Sequence, residues 1–112
     1  MRILFDHGTP VPLRRVLRSH EVTTAYELGW AELANGALLS VAEAEFDVLI
    51  TTDQSLRYQQ NLMDRKLAIL VLPTTSWPRI KGHIEQIVAA VDALSPGDFV
   101  ELRFARDTDI PD

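Results

Sequence analysis

Two aspartates in this 112-residue chain stand where an apolar run gives way to polar residues. Met1-Arg2-Ile3-Leu4-Phe5 ends at Asp6, and Phe46-Asp47-Val48-Leu49-Ile50-Thr51-Thr52 ends at Asp53. Short apolar runs rich in β-formers read as buried strands. In an open α/β sheet, ligands gather outside the carboxyl ends of the strands. If these two strands are neighbours, roughly 5 Å apart in the sheet, both carboxylates face one mouth. Carboxylate oxygens completed by water are the ligand set of Mg2+ or Mn2+, and such an ion can activate water against a phosphodiester. The competing role is structural: an Asp ahead of a helix is a cap, contributing about 1 kcal/mol.

Other polar residues cluster around the same two points. His7 is placed to bind metal or phosphate, or to hydrogen-bond backbone as a loop histidine. Thr51 and Thr52 bring hydroxyls to the second strand end, and Gln54, Gln59, Gln60 and Asn61 form an amide-rich group after it. Amides can position phosphates or read bases, and they equally suit an exposed helix face. Asn35 precedes Gly36 in a further polar pair. Arg14 and Arg18, four apart, share a helix face just past Asp6. Trp30 and Trp77 are expected in the core, and His20 and His83 at the surface.

The elements that must hold these residues follow from the apolar pattern. After the strand ending at Phe5, Thr9 is expected to cap a helix with Pro10 at its first position, and Leu13, Val16 and Leu17 fall at helical spacing. A second strand is expected at Glu21–Ala25, a helix at Ala37–Glu45 and a strand at Phe46–Thr51. A helix capped by Thr52 or Asp53 is expected at Leu56–Met63, and a strand at Leu67–Leu72. Ile80, Ile84, Ile87, Val88 and Val91 predict a single one-faced helix ending near Leu94. Phe99–Phe104 alternates in polarity and reads as an antiparallel or edge strand. Near-continuous apolar strands alternating with helices predict a three-layer α/β/α sandwich on a mainly parallel sheet of about five strands. One domain spans 1–104, and 105–112 reads as a frayed acidic tail.

Composition narrows the classes. The apolar share of 46% is too high for disorder and too broken by charge for a membrane span, so no membrane association is expected. The absence of cysteine removes disulfide scaffolds, thiolate metal sites and cysteine nucleophiles. Asp6 interrupts the opening run before it reaches signal-peptide length, so the expected location is cytoplasmic. A net charge of −5 argues against gripping nucleic acid by bulk charge. Residues 1–20, however, carry four arginines against Asp6 alone, a local balance of +3, which makes them the candidate basic patch.

The pattern Met1-Arg-Ile-Leu-Phe-Asp-His-Gly-Thr-Pro10, then Gly29-Trp30, Asn35-Gly36 with Leu38-Leu39, Phe46-Asp-Val-Leu-Ile-Thr-Thr-Asp53 and Tyr58-Gln-Gln-Asn61, resembles a short PIN-like family of prokaryotic proteins. That family is related to PIN-domain nucleases, including toxin ribonucleases of the VapC kind. The resemblance runs from Met1 to about Leu94. It implies a Rossmann-like fold and a metal-dependent endoribonuclease, the toxin of a toxin–antitoxin pair. Asp6 and Asp53 would then be the catalytic, metal-holding acids, with His7, Asn35, Thr52, Gln54 and Asn61 as substrate contacts or supports of the metal ligands. Mg2+ or Mn2+ is the implied cofactor. RNA, an antitoxin encoded nearby and a second copy of the chain are the implied partners. The chain departs from the family pattern at His7 and Ala37, where relatives commonly have acids. This departure opens an alternative: a catalytically degenerate PIN-like fold acting as a protein-interaction module. A metal-free binder of nucleotide or phosphate at two helix N-termini is a further alternative, disfavoured because two aspartates in the same place repel phosphate.

Overall fold

The computed structural model describes residues 1–56 and 65–104. Five strands form one sheet: β1 (Arg2–Phe5), β2 (Glu21–Thr24), β3 (Val48–Thr51), β4 (Ala68–Val71) and β5 (Phe99–Glu101). Their order is β2-β1-β3-β4-β5, and every neighbouring pair is parallel. Among the described residues the connections carry a 3-10 helix (Val11–Arg15) and three α-helices: α1 (Asn35–Glu45), α2 (Trp77–Lys81) and α3 (Ile84–Asp92).

The apolar runs become central strands because both sheet faces are covered. Successive side chains alternate between two cores. Ile3, Phe5, Val48, Ile50, Ala68 and Leu70 pack on one face with Leu13, Leu17, Ile80, Ile87 and Val91. Leu4, Leu49, Ile69 and Val71 pack on the other with Leu38, Leu39, Ala42 and Leu56. The result is the expected α/β sandwich of three layers. Trp77 packs against the first core, and Trp30 against the second, edge-on to Phe46 at 6.2 Å. No helix among the described residues is long and apolar enough to cross a membrane.

Several local expectations need correction. Thr9 does not cap a helix: it is buried, and its hydroxyl donates instead to the Ile50 carbonyl at 2.9 Å. Pro10 lies just before the 3-10 helix rather than within it. The single helix expected around Ile80–Leu94 is two, α2 and α3, parted at Gly82 and His83. Glycine is a poor helix former, and the apolar period continues across the break because both pieces face one core. β5 is an edge strand, as expected, but is parallel to β4. His20 is not a surface residue, with only 13% of its side chain exposed, and His83 stacks on Phe104 at 4.1 Å. The Leu56–Met63 helix, past its first residue, and the 105–112 tail lie outside the described residues.

Candidate functional site

β1 is the hinge of the topology. The chain leaves it for β2 on one side and returns past it to β3 on the other, so the strand order reverses between β1 and β3. Such a switch point opens a crevice at the carboxyl ends of the strands.

Register then determines what faces that crevice. Phe5 pairs with Ile50 on one side and Thr24 on the other, so Asp6 emerges level with Thr51. The Asp6 amide donates to the Ile50 carbonyl at 3.0 Å, and the Ala25 amide to the Phe5 carbonyl at 2.8 Å. The Asp6 carboxylate, 13% exposed, accepts from the His7 amide on Oδ1 at 2.8 Å and from the Thr51 hydroxyl on Oδ2 at 2.8 Å. The same Thr51 oxygen accepts from the Asp53 amide at 3.2 Å. One buried hydroxyl therefore ties the two strand ends together, the property a sequence reading centred on the acids alone would overlook.

The remaining site residues divide by what already occupies them. His7 is 70% exposed, with its Nδ1 3.4 Å from Asp6 Oδ1. Asp53 Oδ1 accepts from both the amide and the hydroxyl of Ser55, at 2.9 and 2.8 Å. This is capping geometry. Gln54 spends its side-chain amide on the carbonyls of Thr52 and Leu72, lacing β3 to β4. Thr52 sits against Gly8 so closely that a Cβ there would lie 2.6 Å from its hydroxyl oxygen. Asn61 lies outside the described residues, and of Asn35 only the backbone, opening α1, is described. Among the described residues no three His, Asp or Glu side chains converge as a metal-binding group.

Beside Asp6 lies a cavity of about 560 Å3 lined by residues no motif singled out, Tyr26, Glu27 and Thr24 among them, together with His7 and Arg14. Tyr26 is 81% exposed. Glu27 clasps the cavity wall: its Oε1 accepts from the Thr24 amide at 2.9 Å and from the Arg14 guanidinium, and its own amide donates to the Thr24 hydroxyl. The Thr24 amide, and after it Arg14, hold the Glu27 carboxyl below the usual glutamate range. These residues were hidden from sequence because the loop after β2 reaches Asp6 only through the β1–β2 pairing. No family model, curated protein or solved structure matches the chain.

Proposed function

We propose that the chain is a PIN-like, divalent-metal-dependent endoribonuclease with its site at the β1–β3 mouth, in the role of a toxin held by an antitoxin. The observation that carries this reading is the Thr51 hydroxyl, which joins the Asp6 carboxylate to the Asp53 backbone at a switch point. The donor set suits a hard cation. Magnesium takes one or two carboxylates and keeps several waters. Each Asp6 oxygen accepts one hydrogen bond and retains acceptor capacity, and ligating carboxylates are themselves commonly oriented by such donors.

Asp6, with Asp53, would hold the ion. When bound there, a divalent cation supplies a polarised phosphodiester and a more acidic water. The chain's own residues do the rest. Thr51 and the His7 amide fix the Asp6 carboxylate, Ser55 fixes one Asp53 oxygen, and the exposed His7 ring can donate to a phosphate oxygen at the rim. The test is cleavage of a labelled RNA with Mn2+, with and without EDTA, by wild type, Asp6→Asn and Asp53→Ala. Activity lost with EDTA and in both variants is the expected result. Equal cleavage by Asp53→Ala and wild type would remove Asp53 from the site.

One observation favours a second reading, a degenerate fold serving as a protein-interaction module. Asp53 Oδ1 is doubly engaged by Ser55, and no third acid joins the pair among the described residues. Calorimetry separates the two readings. No heat with millimolar Mn2+, together with a stable complex with the product of a neighbouring gene, favours the module.

A further inference from the structure

A second depression, also about 560 Å3, is lined by Arg14, Arg15, Arg18, His20 and Val22. It shares Arg14 with the cavity that holds Asp6 and Tyr26, so the two are continuous along the 3-10 helix and the β2 edge. Their charges are sorted. Arg14 is taken by Glu27, and His20 Nε2 lies 3.3 Å from Asp92. Arg15 and Arg18 are exposed, and among the described residues neither has a carboxylate partner. In a chain of net charge −5, this leaves a local cationic cleft at one end of a track and an exposed aromatic ring at the other, with Asp6 beside the ring.

From this arrangement we infer that the track binds a single strand of nucleic acid, with phosphates at Arg15 and Arg18 and an unpaired base stacked on Tyr26. The inference rests on the nuclease reading for the chemistry at Asp6 and deepens it by naming the form of substrate. Unpaired arginines attract any polyanion. A stacking ring in the same track favours nucleic acid over an acidic peptide, because every base offers a π-face and a glutamate chain offers none. A duplex hides its bases from such a ring.

The test uses the full chain and a short fluorescein-labelled oligouridylate in EDTA, with anisotropy followed across a KCl series. Each phosphate contact contributes about 0.7 to the slope of log K against log salt for a single strand, so Arg15→Gln/Arg18→Gln should flatten that slope by about 1.4. Tyr26→Ala should weaken binding about tenfold with the slope unchanged. Lys66→Gln, at the opposite end of the sheet, should bind as wild type does. Wild-type affinity and slope in the double arginine variant would overturn the inference, as would polyglutamate or an RNA duplex binding as tightly as the single strand. Asp6→Asn keeps the two proposals apart: salt-dependent binding retained by a wild type that cleaves nothing sinks the nuclease and leaves the strand-binding track.

Discussion

Thr51 is the residue on which the strand-end geometry turns, since its hydroxyl both donates to Asp6 and accepts from the Asp53 amide, and it is buried. Thr51→Val keeps the shape and removes both bonds, leaving groups whose lost partners cost about 1–3 kcal/mol each when shut from water. Thr51→Ser keeps both bonds and removes one methyl, a change of about 1 kcal/mol. Urea denaturation should therefore rank valine as the more damaging; serine equal to or worse than valine would show that packing, not the hydroxyl, holds the strand ends. Gly8 offers an independent probe of the same corner. A methyl placed 2.6 Å from the Thr52 oxygen must displace it, so Gly8→Ala should cost about 1–3 kcal/mol, and adding Thr52→Ala should recover most of that loss. Additive losses in the double variant would place the strain elsewhere. At this scale the aspartates were legible because each ends a buried run, and such ends are where a parallel sheet opens. Tyr26 and Glu27 were not, because their neighbourhood with Asp6 is made by strand pairing and leaves no period in the chain.

Elements were read well where burial alone decides their pattern and less well where a local competitor intervenes. β1, β3 and β4 are apolar throughout because both faces are covered. β5 alternates because an edge strand is half exposed, a property independent of its direction; that direction follows from the long crossover through α2 and α3. The Gly82 break was masked by an apolar period that both short helices share. The loop after β2 is held by a local device with its own pH signature. Because the Thr24 amide and then Arg14 lower the folded Glu27 pKa, the clasp contributes stability that is complete above the unfolded glutamate value and lost as pH falls through the lower folded value. An NMR titration of the Glu27 carboxyl should find its midpoint below the peptide value, and Arg14→Gln should move it partway back up. A midpoint unmoved by Arg14→Gln would assign the shift to the Thr24 amide alone.

At the scale of the molecule, the order β2-β1-β3-β4-β5 places the chain's acidic and basic features around one end of the sheet. Asp6 and Asp53 leave adjacent strands at the switch point, while the arginines of the opening segment flank it along the β2 side. Charges of one sign brought together at a strand end disfavour the folded state unless something opposes them, which hydrogen bonds from Thr51 and His7 do in part. A cation that bound both acids would oppose them further and, by binding the native state alone, would raise stability by mass action. At a hundred times its dissociation constant that gain is about 2.7 kcal/mol, roughly 10 °C in melting temperature for a domain of this size. Thermal melts with and without Mn2+ should show such a rise in the wild type, reversed by EDTA and absent in Asp6→Asn. Asp6→Asn should in turn match or exceed the wild type in metal-free buffer if repulsion between the acids outweighs the hydrogen bonds it weakens. An equal Mn2+ response in both proteins would move the binding away from the β1–β3 mouth and take the hydrolytic reading of that mouth with it.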